Sequence, residues 1–159
     1  QFPDVSRRLA SCRMPFPPFL FTALLAVNAE ADAHKGQLMR QVRAGPCVKP
    51  FTCVKVVSVP IPEAKSGNAL IVINGSSVNP SDVDTVELGG CLLGCGNDVA
   101  GTVIECPGCT RLQAGDRVWG AGHPAYSEFV TSPEALLALA PRNLPLDQAG
   151  TIPEVGLTS

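Results

Sequence analysis

The chain has 159 residues, 45% of them hydrophobic and 16% charged, with 15 Gly, 15 Pro and a formal net charge of -2. That length suits one domain with a core of its own and hardly two. Twelve Lys+Arg against fourteen Asp+Glu leave no cationic surplus for a phosphate backbone, so the balance argues against nucleic acid as a partner.

Residues 1–38 differ in composition from the rest. Arg7, Arg8 and Arg13 precede Met14, an apolar run follows from Phe16 to Val27, and small residues fill Asn28 to Ala33. The order matches a secretory signal peptide, with Ala-x-Ala sites at Ala29-Glu30-Ala31 and Ala31-Asp32-Ala33. Phe19 to Val27 falls well short of the roughly 20 residues a bilayer span needs, so no stable membrane anchor is expected. A core helix, a disordered leader and organellar import are the competing readings. Localisation follows the leader: the secretory pathway or an organelle if it functions, the cytoplasm otherwise.

From Leu38 onward, short apolar runs alternate with Gly and Pro, the pattern of strands and turns. Strands are predicted over Leu38–Val42, Phe51–Val59, Ala69–Val78, Val99–Cys106, Arg117–Gly120, Tyr126–Thr131 and Leu136–Ala140. Ala69-Leu-Ile-Val-Ile is continuously apolar and should be covered on both faces. Between strands, Asn79 followed by Pro80 marks the start of a short helix, since Asn caps and Pro suits the first helical position. Leu146 to Pro153 is predicted to be a further helical turn, closed by Pro153. Seven short strands with little helix suggest a mainly β fold, a closed or nearly closed barrel with short helices.

Seven cysteines admit three readings. Cys91-x3-Cys95 with Cys106-x2-Cys109 has the look of a four-thiolate zinc site; a disulfide framework is a second reading; buried free thiols are preferred to both. Cys106-Pro107-Gly108-Cys109 is predicted to be a tight turn between strands.

Five segments then carry a resemblance: Ser77-Val78-Asn79-Pro80-Ser81-Asp82-Val83, Gly96-Asn97-Asp98-Val99-Ala100-Gly101-Thr102-Val103, Gly115-Asp116-Arg117-Val118-Trp119-Gly120, Ala125-Tyr126-Ser127-Glu128-Phe129-Val130 and Val155-Gly156-Leu157-Thr158-Ser159. In this order they resemble the medium-chain dehydrogenase/reductase superfamily, in its zinc-independent quinone-oxidoreductase-like branch. Residues 39–159 are similar to its N-terminal GroES-like (alcohol dehydrogenase-like) catalytic domain, which implies a mainly β, partly open barrel with short helices. The family's zinc-dependent members carry Cys at the position of Asn79 and His-Glu at Asn97-Asp98, and an amide supplies neither thiolate nor imidazole. No metal is expected.

The resemblance implies hydride transfer from NADPH to a small-molecule electrophile, a quinone or an enone, with the cofactor carrying the chemistry. It implies cofactor-binding roles for Asn79, Asp82 and Thr158. Tyr126 is expected first as barrel packing and second as a general acid. Structural roles stand beside the cofactor roles, because Asn79 caps a helix and Asp82 complements its dipole on any reading. Where the family often has an aromatic residue this chain has Asp84, and the stretch from Asn79 to Gly96 is shorter than usual.

Cofactor binding also needs a Gly-rich turn between a strand and a helix. No G-x-G-x-x-G occurs, and the Gly89-Gly90 and Gly94-Cys95-Gly96 clusters are expected as turns. The chain by itself is therefore expected to be inactive, a piece cut before a Rossmann domain, with a homodimer among the expectations for the full-length protein. An enoyl-thioester reductase fragment and a standalone, non-catalytic GroES-like binding module are the alternatives.

Overall fold

The computed structural model describes residues 34–45 and 52–158. The leader expected over residues 1–33 lies outside them. Seven strands form, β1 (Leu38–Ala44), β2 (Val54–Pro60), β3 (Asn68–Gly75), β4 (Asp98–Glu105), β5 (Arg117–Ala121), β6 (Phe129–Pro133) and β7 (Leu137–Leu139). Among the described residues three short α-helices accompany them, α1 (Pro80–Glu87), α2 (Leu146–Ala149) and α3 (Pro153–Thr158), with a 3-10 turn at Glu134–Leu136. β1 and β2 make an antiparallel pair, and the other five strands make one antiparallel sheet in the order β6-β3-β4-β5-β7. The sheet curls into a half-barrel, the partly open form that the family resemblance implies and not the closed or nearly closed barrel that the strand pattern suggests.

β3 is covered on both faces, as its unbroken apolar run requires. Ala69 and Ile71 pack with Val99, Val103, Val118 and Val130 in the main core, while Leu70 faces the other way and packs with Met39 and Ile61. Burying each of the larger of these side chains contributes roughly 1.5–3 kcal/mol before entropy is counted. The end of β3 meets α2 so closely that a Cβ on Gly75 would lie 2.6 Å from the Leu146 carbonyl oxygen. Only glycine fits there, and this contact seats α2, with α3 just beyond it, against the strand ends.

Three strand boundaries differ from the sequence reading by three residues, the others by two or fewer. β2 begins at Val54, not Phe51, and β3 stops at Gly75. β6 begins at Phe129, leaving Tyr126 outside any strand. The preceding segment pairs with β1 instead: Val42 N–H donates to the Tyr126 carbonyl at 2.8 Å, Glu128 N–H donates to the Arg40 carbonyl at 3.1 Å, and Gln41 bridges Ser127. Pro153 does not close a helix but opens α3, in the helical position that needs no N–H; α2 ends at Ala149, with Gly150 its C-cap.

The preferred reading of the cysteines as free thiols is also corrected. Cys91 pairs with Cys95 and Cys106 with Cys109 as disulfides, the two Cα atoms being 5.1 Å and 5.5 Å apart. Both separations fall within disulfide reach, which the close spacing of each pair in a turn makes available. Among the described residues no helix is long and apolar enough to cross a membrane.

Candidate functional site

The polar residues singled out in the sequence meet at one end of the barrel. The backbone leaves β3, passes Ser76 and Ser77 in extended form, and turns into α1 at Asn79, the N-cap. Asn79 N–H donates to Asp82 Oδ2 at 2.8 Å, so Asp82 folds back to satisfy an amide that the helix leaves free. Asn79 and Asp82 are each only 4% exposed.

Asp98, the first residue of β4, is the centre of the cluster and is 1% exposed. Its Oδ2 accepts from Asn79 Nδ2 at 3.0 Å and from the Ser77 hydroxyl; its Oδ1 accepts from Glu154 N–H at 2.8 Å. Glu154, in the first turn of α3, accepts from Asn79 Nδ2 at 3.0 Å through Oε2 and from the Ser81 hydroxyl at 2.6 Å through Oε1. Three segments far apart in sequence, namely the start of α1, the start of β4 and the start of α3, are thereby tied through Asn79. A buried carboxylate is tolerable only when donors surround it, and Asp98 has two side-chain donors on Oδ2 and a backbone donor on Oδ1.

Tyr126 stands over this cluster. Its hydroxyl lies 2.8 Å from Asp82 Oδ2 and 2.8 Å from the Ser77 carbonyl oxygen, and it donates its one proton to either acceptor. Its pKa is pushed well above the ordinary phenol range, first by burial, then by the hydrogen bond to Asp82 and the negative charge of Asp82, Asp98 and Glu154. The ring packs beside Ala44, Val86, Cys91 and Cys95. Gly96, at φ +87°, lets the chain pass so near that a Cβ there would meet the ring at 2.5 Å.

The structure thus brings together Asn79, Asp82 and Tyr126 of the residues expected from the sequence, and places Thr158 in α3. Sequence reasoning missed Ser77, Ser81, Asp98 and Glu154 as members. Asp98 was noticed only as the place where relatives carry a zinc-site residue, and an acid just after Pro153 was the one local sign of Glu154. Among the described residues no group of three or more His, Cys, Asp or Glu side chains is arranged to hold a metal ion.

The cluster fits a nicotinamide cofactor only in part. Both hydrogens of the Asn79 amide are already directed at Ser77, Asp98 and Glu154, with Ser77 Oγ at 2.9 Å. A further acceptor would reach this amide only by displacing one of them. Nor do the described residues include a Gly-rich turn leading from a strand into a helix that could cradle a pyrophosphate.

Comparison with known proteins agrees with this fold and this motif order. The profile of the alcohol dehydrogenase GroES-like domain matches residues 65–142. A zinc-type alcohol dehydrogenase-like protein of Schizosaccharomyces pombe is 31% identical over 130 residues, covering 73% of this chain and 39% of that protein. The quinone oxidoreductase from Coxiella burnetii superposes with a TM-score of 0.69 at 28% identity, covering 77% of this chain and 43% of that one. A mycobacterial protein solved in complex with NADPH superposes at 0.67 with 29% identity, covering 76% of this chain and 38% of that one. The architecture is that of a GroES-like β domain, and the chain belongs to the medium-chain dehydrogenase/reductase superfamily through its alcohol dehydrogenase GroES-like domain. It spans about two fifths of the length of each of these three proteins.

Proposed function

We propose that residues 39–159 are the N-terminal catalytic domain of an NADPH-dependent, zinc-independent reductase that acts on quinones or enones. The observation that carries this reading is the likeness to a quinone oxidoreductase at 28% identity over 77% of the chain. The likeness to an NADPH complex supports the choice of cofactor, and Asn79 at a position where zinc-dependent relatives place a thiolate supports zinc independence. NADPH, when bound, supplies the hydride.

This chain's own residues shape one wall of the cleft. Asp82 and Tyr126 hold the start of α1, and Asp98 fixes Asn79. Of the acceptors on the Asn79 amide, Glu154 is the one carried by α3, so Asn79 would offer an N–H to a nicotinamide in its place. Thr158 rides on the same helix. A phenol whose pKa is raised by burial and then by three neighbouring carboxylates keeps its proton at neutral pH, which suits Tyr126 to bracing better than to rapid proton donation.

The test is to capture the native polypeptide from source material with an antibody raised against residues 39–159, then to size it and assay it. The expected product carries roughly 150–200 residues more, enough for a second domain, and oxidises NADPH only when a quinone or enone is added. A polypeptide of this chain's size without NADPH oxidation would overturn the proposal in favour of a standalone binding module. Oxidation that requires an enoyl thioester would move the substrate to that class.

A further inference from the structure

β4 leaves the sheet at Glu105 and runs straight into Cys106-Pro107-Gly108-Cys109, a turn remote from the polar cluster around Asp98. Pro107 and Gly108 are exposed and both cysteines are half-buried, whereas Cys91 and Cys95 are each 1% exposed and packed against Ala44 and Val86. Attack on a disulfide needs an approach to sulfur, which full burial denies at Cys91–Cys95; at the other pair Cys106 packs one side against the main core and the turn leaves both cysteines half-buried.

The turn is held by contacts that do not pass through the sulfur atoms. Cys109 N–H donates to the Cys106 carbonyl at 3.2 Å, and Gly67 N–H donates to the Pro107 carbonyl at 2.7 Å. Gly108 takes φ +71° and sits against Ser66. Directly after the turn, Thr110, Arg111 and Leu112 N–H groups all donate to the Glu134 carboxylate, at 3.0, 2.5 and 2.9 Å to Oε1. Opening the S–S bond therefore leaves the two thiols facing each other, ready to close again. A loop this short also constrains the unfolded chain far less than a long one, so the bond is a weak staple for the fold.

We propose that Cys106 and Cys109 form a thiol–disulfide exchange site open to a small thiol of the glutathione type, and that Cys91–Cys95 is closed to it. In the forward direction the thiolate of one small thiol attacks a sulfur of the Cys106–Cys109 bond. A mixed disulfide forms, the protein S–S bond breaks, and the released cysteine takes up a proton. A second thiol attacks the small-molecule sulfur of the mixed disulfide and frees the other cysteine. The protein pair gains two electrons and two protons, and two thiols become one disulfide; the oxidised small molecule drives the reverse. Exchange at this turn does not depend on the reductase reading.

The experiment is a titration of the folded chain with reduced and oxidised glutathione in graded ratios, quenched by acid, alkylated and mapped by peptide mass. The expected result is reversible labelling of Cys106 and Cys109 at ratios that leave Cys91 and Cys95 unlabelled. The fluorescence of Trp119, the chain's one tryptophan, should stay native throughout. A Cys109→Ser variant should hold a glutathione adduct on Cys106, and the Cys106→Ser/Cys109→Ser double variant should unfold at the same urea concentration as the parent. Simultaneous labelling of both pairs, labelling only where Trp119 reports unfolding, no adduct on Cys109→Ser, or failure of the double variant to fold would each overturn the proposal.

Discussion

The two ends of β4 are organised by the same device in opposite surroundings. At the start of the strand Asp98, buried, gathers donors from Ser77, Asn79 and Glu154; beyond its end Glu134, at the surface, gathers the amides of Thr110, Arg111 and Leu112. Each carboxylate fixes a loop by accepting several hydrogen bonds at once. The difference lies in what replaces a bond that is lost. Water takes up the amides around Glu134, but no water reaches the donors around Asp98 without opening the core. The Asp98 end should therefore behave as one unit, while the cysteine turn at the other end opens locally.

The sharpest way to break that comparison is to delete each hub. Asp98→Ala leaves the Ser77 hydroxyl and the Glu154 N–H without this acceptor in a buried place and removes one of the three acceptors around the Asn79 amide, which should cost about 3–5 kcal/mol. Urea unfolding followed by Trp119 fluorescence measures it. Glu134→Ala should shift the midpoint much less. Equal shifts for the two variants would mean that burial does not separate the two hubs.

Next in size is Tyr126→Phe, which removes one half-buried hydroxyl donor while Asp82 Oδ2 keeps the Asn79 N–H, and should cost about 1–2 kcal/mol. Its pH dependence has a definite sign. The folded-state pKa of Tyr126 is raised, so its contribution to stability is complete below the unfolded phenol value of about 10 and is lost as pH rises toward the folded value. The chain contains one tyrosine, so the absorbance of its phenolate reports this site alone. Ionisation at an ordinary pH in the native protein would show that Tyr126 does not face the carboxylates as described.

The strands were legible because each buried run is short, apolar and bounded by Gly or Pro, signals that lie within a few residues. The cap at Asn79 was legible for the same reason. Its partners were not: Asp98 lies 19 residues and Glu154 75 residues away in sequence, and only the closure of the barrel brings them to the amide. Tyr126 continued an apolar run and so read as strand, but its segment pairs with β1 across the barrel, a choice of partner that local pattern does not encode. Pro153 was ambiguous for a physical reason too, since a residue without an N–H suits the position after a helix and the first position within one.

The smallest expected effect sharpens the surface side of the comparison. The Glu134 pKa is lowered, chiefly by the backbone hydrogen bond from Arg111 and also by those from Thr110 and Leu112, with burial acting the other way. A carboxyl held below its unfolded value of about 4.3 adds stability above that pH and loses it as pH falls through the lower folded value. The urea midpoint of the parent should therefore fall between about pH 5 and pH 3, and Glu134→Gln should flatten that slope. Because Glu128, lowered by its bonds from Arg40, titrates in the same window, Glu128→Gln supplies the reference for how much of the slope belongs to an exposed carboxylate elsewhere. If Glu134→Gln leaves the acid slope unchanged while Glu128→Gln flattens it, the amides of the cysteine turn do not rest on Glu134. The turn's order would then have to come from its contacts with Ser66 and Gly67.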